Sequence, residues 1–276
     1  MRIAFIGGGT MGEAMARCLL GKNVAAPADI AISDVRQSRR ELLSSEYGVS
    51  TLANNRKTIE GTDLIILAVK PQDLAHVMEE ILKAESLQPT TLVLSIVAGT
   101  SLSTLQHGLK HPCIIRAMPN MPAQIGEGMT VWTATAKVSQ QQREMAQSVL
   151  GALGEEIYVN DEKYLDMATA LSGSGPAYVF LFIEALIDAG VHIGLPRDMA
   201  EKLAIQTIIG STHAVQKTGK HPAELRNMVS SPGGTTVEAL LQLEKGNFRS
   251  ILLEAVSAAY NKAKRLSVPS PLKGEG

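Results

Sequence analysis

Between residues 2 and 118, short β-branched and apolar runs alternate with segments whose apolar residues recur at helical spacing. Ile3–Ile6, Ile30–Ser33 and residues 64–69, 92–97 and 113–118 read as strands. This alternation predicts an α/β fold, a parallel sheet with helices on both faces. Gly128–Ala134 and residues 156–159 read as two last strands, with a helix over 139–153 between them. After Asp161 the pattern is helical almost without interruption. Asp161 with Tyr164 begins one helix, and Ser172-Gly173-Ser174-Gly175-Pro176 breaks it and starts a long segment to Gly194. Leu195-Pro196-Arg197-Asp198 starts another helix that runs to Lys217, a short one covers 222–229, and two more close the chain.

Several of these helices are apolar on more than one face, as in Tyr178-Val179-Phe180-Leu181-Phe182-Ile183. So wide an apolar surface needs a partner, and a large dimer interface is expected. The apolar run 177–195 carries Glu184 and Asp188 at its centre, so it reads as a core or interface helix rather than a membrane span. Residues 267–276, rich in Pro, Ser and Gly, are expected to form a disordered tail.

The chain has 276 residues, 45% of them hydrophobic, which is enough for two modest cores and excludes a mainly disordered protein. Its formal charge of -1, with no basic block and 4% aromatic residues, argues against a nucleic-acid partner. Met1-Arg2 runs straight into the first strand with too short an apolar core for a signal peptide. The only cysteines, Cys18 and Cys113, are not in metal-like spacing and read as small buried hydrophobes in a reducing cytoplasm. His107 and His111 have helical ligand spacing, yet Gly108 and Pro112 predict a helix end at the surface, and no third ligand stands nearby, so no metal is expected. Glu79-Glu80 and Glu155-Glu156 read as solvated pairs, and Trp132 as packing.

The first candidate chemistry lies between the first strand and its helix. Gly7-Gly8-Gly9-Thr10-Met11-Gly12 satisfies GxGxxG after a strand that ends at Ile6, and Asp34 ends the second strand, as the dinucleotide fingerprint requires. Asp34 can accept both hydrogen bonds of an adenine ribose, which favours NADH. Arg36, Arg39 and Arg40 can clamp a 2'-phosphate, which favours NADPH, or form a solvated helix face. Both cofactors stay open. The loops Val69-Lys70-Pro71-Gln72, Ala98-Gly99-Thr100 and Met118-Pro119-Asn120-Met121-Pro122 follow later strands and add to the same sheet edge.

A second candidate lies far downstream, at Ser230-Ser231-Pro232-Gly233-Gly234-Thr235-Thr236. Pro232 ends one helix, the paired glycines allow close backbone approach, and Thr235 and Thr236 offer hydroxyls where the next helix begins. A helix start presents unpaired N–H groups and partial positive charge to a small anion.

Three strings together make the chain resemble the pyrroline-5-carboxylate reductase family. They are the glycine loop, Ala68-Val69-Lys70-Pro71-Gln72, and Leu171-Ser172-Gly173-Ser174-Gly175-Pro176-Ala177-Tyr178 with the 229–236 string. The resemblance implies a Rossmann-type NAD(P)-binding domain over 1–160 and an all-α dimerisation and substrate domain over 161–266. It implies reduction of the cyclic imine 1-pyrroline-5-carboxylate to L-proline by NADPH or NADH, in a domain-swapped dimer that can assemble into a ring of five dimers. By motif it places Gly7, Gly9, Thr10, Met11, Gly12, Asp34, Asn55, Ala68, Val69, Lys70, Pro71 and Ala98 at the cofactor, and Ile6, Arg36 and Asn120 are added as candidates there. It implies that Glu162, Gly234, Thr235 and Thr236 lie at the substrate; independently, the helix start adds Ser231 and Gly233 for the carboxylate and places the Thr236 hydroxyl to orient the ring nitrogen. A β-hydroxyacid dehydrogenase shares the layout, but its lysine is missing after Gly173-Ser174-Gly175. A non-catalytic dinucleotide sensor would have no use for a second anion pocket.

Overall fold

Eight strands form one sheet in the order β3-β2-β1-β4-β5-β6-β7-β8 in a computed structural model that describes residues 1–83 and 87–267. They are β1 (Ile3–Ile6), β2 (Ile30–Ser33), β3 (Ser50–Leu52), β4 (Leu64–Leu67), β5 (Leu92–Ser95), β6 (Ile114–Met118), β7 (Gly128–Ala134) and β8 (Gly154–Tyr158). β1 pairs in parallel with β2 and β4, with Ile3 opposite both Ile30 and Leu64. β6 and β7 pair antiparallel because the chain returns through a short turn at Met121–Ile125, too short for a parallel crossover. β3 went unpredicted, being only three residues without apolar alternation.

Alternation along the strands builds two cores. Ile3 and Phe5 face one way with Met15, Ala16 and Leu19 of α1 (Thr10–Gly21), Leu43 of α2 (Gln37–Tyr47), and Val149 and Leu150 of a later helix. Ala4 and Ile6 face the other way, where α3 (Asn55–Thr58) leads to α4 (Leu74–Leu82) and α5 (Leu102–Leu109). Leu74, Val77, Met78 and Ile81 of α4 and Leu105 and Leu109 of α5 close that side. The later helix is α6 (Gln140–Gly151), started by Ser139 and Gln142 in a reciprocal capping box. Each large side chain buried in these cores stabilises the fold by about 1.5–3 kcal/mol before entropy is subtracted.

The chain divides into two compact units: residues 1–174 together with the return from residue 259, and residues 175–258. The first unit keeps α7 (Lys163–Ala168), which packs on β6 and β7. Compactness therefore divides the chain later than the expected boundary at 160. The expected helix break at Ser172 to Pro176 is instead a π-helical turn, Thr169–Gly173, leading into α8 (Gly175–His192). Pro176 stands in the first turn of α8, where its missing N–H breaks no helical bond.

The second unit takes α8, α9 (Arg197–Thr218), α10 (Pro222–Met228), α11 (Thr235–Lys245) and most of α12 (Phe248–Ser267). α8 and α9 approach closely at Gly190, where any side chain would meet Ala200. Its buried cluster is Ile187, Ala200 and Ala204, while Phe180, Leu181, Phe182, Leu203, Ile251 and Leu253 are exposed. So small a core leaves these side chains without cover among the described residues. By length and composition Lys163–His192 could cross a membrane, although Glu184 and Asp188 lie within it. Of the expected tail, Ser267 is the last residue of α12, and residues 268–276 lie outside the described residues.

Candidate active site

The strand order reverses between β1 and β4, and the crevice at their C-terminal ends receives the glycine loop. Gly7 has φ +107°, and a Cβ there would stand 2.6 Å from the carbonyl oxygen of Ala68. A Cβ on Gly12 would stand 2.2 Å from the Gly7 carbonyl oxygen. Gly9 is different. The space in front of it is open, and it caps α1 in extended conformation with no side-chain hydrogen bond. The first N–H groups of α1, from Thr10, Met11 and Gly12, have no acceptor within the helix and face that space. Ile6 forms the floor: its side chain is buried in the core and its carbonyl accepts Ala68 N–H at 2.9 Å. Open room before Gly9, closed room behind Gly7 and Gly12, and a helix N-terminus fit the pyrophosphate of a dinucleotide.

Asp34 stands at the end of β2 beside this loop. Its Oδ2 accepts Gly8 N–H at 3.1 Å, and its Oδ1 accepts Arg36 N–H at 2.9 Å and Arg36 Nε–H at 3.2 Å. Burial pushes the carboxyl pKa up, but the bonds from Arg36 and Gly8 outweigh it and hold the group below the usual range. The other arginines are not a solvated face. Arg39 donates twice to the Gly8 carbonyl, at 3.0 and 2.7 Å, and to Glu13 at 2.7 Å, and Glu13 also accepts the Tyr47 hydroxyl. The Arg39 bond depresses the Glu13 pKa against the opposing effect of burial. Arg40 donates to the Asp34 and Val35 carbonyls. Both serve loop carbonyls: Arg39 that of the glycine turn, Arg40 those of the segment between β2 and α2. Asn55 is also engaged, accepting the Ser33 hydroxyl and donating to Glu80, both at 2.6 Å.

Across the crevice, Lys70 is exposed in extended conformation before Pro71, and Ala68 and Val69 are half-buried. Ala98 is exposed, and the next residue, Gly99, has φ +71° with Leu266 pressed against it. Asn120 accepts Met129 N–H at 2.9 Å and donates to the Ser172 carbonyl at 3.0 Å, so its amide fastens the β6–β7 turn to the π-helical turn. Glu162 accepts from Arg116 Nη1 at 2.7 Å and from Leu102 N–H at 2.8 Å. Arg116 Nη2 reaches Asp166 at 3.0 Å. The sequence reading missed Arg116 and Asp166, although a single arginine inside Cys113-Ile114-Ile115-Arg116-Ala117 signals a buried charge that must be paired.

In the second unit, Ser231, Pro232, Gly233 and Gly234 form a type II turn: Pro232 takes the second position, Gly233 has φ +69°, and Gly234 N–H bonds the Ser231 carbonyl at 3.0 Å. A Cβ on Gly234 would meet Ser231 Oγ at 2.7 Å. Gly234, not a threonine, is the N-cap of α11, so Thr235 and Thr236 occupy its first two positions with their N–H groups unpaired within the helix.

Two other expectations are corrected. His111 is 5% exposed rather than at the surface, because its Nε2 lies 2.6 Å from the Thr91 carbonyl oxygen. Glu156 is half-buried because it accepts the Trp132 indole N–H, and Trp132 also packs edge-on against Tyr158.

Sheet order, glycine cradle and the carboxylate at the end of β2 together define a Rossmann-type dinucleotide-dependent oxidoreductase joined to a helical assembly unit. Residues 162–266 match the family model described as pyrroline-5-carboxylate reductase dimerisation, and residues 2–99 match that of NADP oxidoreductase, coenzyme F420-dependent. The pyrroline-5-carboxylate reductase of Synechocystis sp. is 41% identical over 96% of this chain and 98% of its own length. The solved reductase of Coxiella burnetii superposes with a TM-score of 0.89 at 36% identity, covering 97% of this chain and 99% of that one. A Plasmodium falciparum pyrroline carboxylate reductase, solved with NADP bound, gives 0.87 at 31% identity, covering 97% and 98%. The chain belongs to the pyrroline-5-carboxylate reductase family.

Proposed function

We propose that the chain reduces 1-pyrroline-5-carboxylate to L-proline with NADPH or NADH. The observation that carries this reading is kinship along nearly the whole of both chains, 96% and 98% for the Synechocystis relative, so both the cofactor and the substrate halves are represented. The cofactor residues are Gly7, Gly9, Thr10, Met11, Gly12, Asp34, Ala68, Val69, Lys70, Pro71 and Ala98, on the floor made by Ile6. Arg36, Asn55 and Asn120 act there through the groups they hold.

The bound dinucleotide supplies a hydride for the imine carbon. The chain must hold the substrate carboxylate, set the ring beside the sheet edge and see the ring nitrogen protonated. The Gly233-Gly234-Thr235 backbone at the start of α11, with Ser231 shaping the turn, suits the carboxylate. A threonine hydroxyl is too weak an acid to act alone, so Thr236 orients the nitrogen and relays a proton from water, or the imine arrives protonated. Glu162, which the family resemblance puts at the substrate, has its carboxylate held by Arg116 and the Leu102 N–H.

The proposal includes a division into a cofactor domain at 1–160 and a dimerisation and substrate domain at 161–266, supported by the match beginning at residue 162. It includes a homodimer, supported by the uncovered apolar faces of the helical unit. A ring of five dimers rests on the family resemblance, and a cytoplasmic location is consistent with two free thiols. Purified protein should oxidise NADH or NADPH only when given pyrroline-5-carboxylate, yielding proline stoichiometrically. Binding of dinucleotide without turnover of this imine would contradict the proposal.

A further inference from the structure

Arg116 is 4% exposed on β6, among apolar neighbours. A guanidinium there is tolerable only if its charge and N–H groups are met. It meets two carboxylates, and each does a second thing. Glu162 Oε1, 2.7 Å from Nη1, also accepts Leu102 N–H at 2.8 Å at the start of α5. Asp166 Oδ1, 3.0 Å from Nη2, also accepts the Ser267 hydroxyl at 2.7 Å at the end of α12.

Between those two attachments lies the 98–101 loop that follows β5. Its downstream end is Ser101, the N-cap of α5, immediately before the Leu102 N–H that Glu162 holds. Its other side is covered by the residue before Ser267: a Cβ on Gly99 would stand 3.1 Å from Leu266 Cβ and 3.2 Å from its carbonyl oxygen. One side chain is thereby connected to both surfaces that confine the loop. A lysine could not reproduce this, because its single ammonium lacks the rigid fork that spans two acceptors.

The loop lies at one end of the dinucleotide crevice. Asp34 just after β2 marks the adenosine side, the glycine loop after β1 the pyrophosphate, and the ends of β4 and β5 the opposite, nicotinamide side. We infer that Arg116 is a positioning residue: through Glu162 and Asp166 it sets the 98–101 loop against the nicotinamide end of the bound dinucleotide. This rests on the cofactor reading proposed above, and it assigns Glu162 a task in the loop beyond any contact with substrate.

The test separates the two ends of the cofactor. ADP-ribose reports on the adenosine and pyrophosphate side, whereas NADH needs both sides. Arg116→Lys should weaken NADH binding roughly tenfold, the scale of lost charge-assisted hydrogen bonds, while ADP-ribose binding stays within about twofold. A second pair of variants leaves the buried charges intact. Leu102 is the first residue of α5 and follows Ser101 at φ -75° and ψ 157°, so proline fits there and deletes only the N–H that Glu162 accepts. Leu102→Ala shortens the side chain but keeps the N–H. Leu102→Pro should therefore bind NADH several-fold more weakly than Leu102→Ala, with equal affinity for ADP-ribose.

Fluorescence titration with NADH and calorimetry with ADP-ribose give the constants. If Arg116→Lys is too unstable to purify, the Leu102 pair decides the matter. Equal losses for both ligands, or identical behaviour of Leu102→Pro and Leu102→Ala, would overturn the inference and leave Arg116 as a stabilising residue only. A wild-type protein that binds neither ligand would instead sink the cofactor reading itself.

Discussion

Arg36 grips Asp34 at two points, Nε to Oδ1 at 3.2 Å and Nη2 to Oδ2 at 3.3 Å, so under the proposed cofactor reading the arginine that would meet a 2'-phosphate is already held by the carboxylate proposed for the ribose. Asp34→Ser should free Arg36 and remove the repelling charge. The ratio of kcat/KM for NADPH to that for NADH should rise roughly tenfold or more, the scale of one charge-assisted contact. Arg36→Ala should change the ratio little. Because the carboxyl pKa is held low, its discrimination is lost only as pH falls through that depressed value, so the ratio should stay flat across neutral pH. A selective loss of NADPH activity in Arg36→Ala would reassign the arginine as the phosphate clamp.

The three fingerprint glycines should fail in different ways. Gly9 has open space before it, so Gly9→Val should fold with near wild-type thermal stability and lose dinucleotide binding. Gly12→Val drives a side chain into the Gly7 carbonyl, so it should lower the melting temperature as well. Thermal unfolding with and without NADH distinguishes them. A Gly9→Val protein that is still stabilised by NADH would remove the cradle from the cofactor site.

The legible parts of this fold were those with one local cause. Ile3–Ile6 alternates between two cores, and the glycine loop needs its residues because backbone atoms approach within van der Waals distance. β3 was invisible because it is three residues long at the sheet edge, with none of them fully buried. The roles of Arg39 and Arg116 depend on partners distant in sequence, Gly8 and Glu13 for the first, Glu162 and Asp166 for the second. Periodicity predicts that such a residue is buried or exposed, but not which carbonyl or carboxylate it will meet. The π-helical turn at Thr169–Gly173 was masked by Gly and Pro, which read as a stop when taken singly.

His111 gives a pH dependence of stability with a definite sign. Burial lowers its pKa, opposed by the Thr91 carbonyl, so the folded protein holds it neutral where the unfolded chain would be protonated. Its contribution is fully present above the unfolded value near 6.5 and declines as pH falls from there toward the lowered folded value. His111→Gln should flatten the slope of melting temperature against pH in that window. Parallel slopes for variant and wild type would place the acid sensitivity elsewhere.

Leu181 is 66% exposed in the middle of α8, near Phe182, which packs against Phe248 within the same unit. If a second copy covers this face, Leu181→Glu should yield insoluble or inactive protein rather than an active monomer. Light scattering on the wild type is the prior check. A monomer at working concentration would remove the reason for the apolar face being there.

Gly234 and Thr236 separate substrate binding from proton handling. A side chain at Gly234 would collide with Ser231 Oγ at 2.7 Å and with its carbonyl oxygen at 3.0 Å, so even Gly234→Ala must open the turn that aims the first N–H groups of α11. That variant should raise KM for the imine by roughly an order of magnitude or more, and Gly234→Val should abolish binding. Thr236→Ala keeps the backbone and loses only the hydroxyl, so KM should change little while kcat falls roughly ten- to a hundredfold. Both should bind NADH as the wild type does, since neither alters the glycine cradle. If the hydroxyl relays a proton from water, the Thr236→Ala deficit should grow as pH rises and fewer imine molecules arrive protonated. A deficit constant with pH would mean that Thr236 only orients the ring, and no deficit at any pH would show that the hydroxyl has no chemical role, the proton coming from water or with a substrate that binds already protonated.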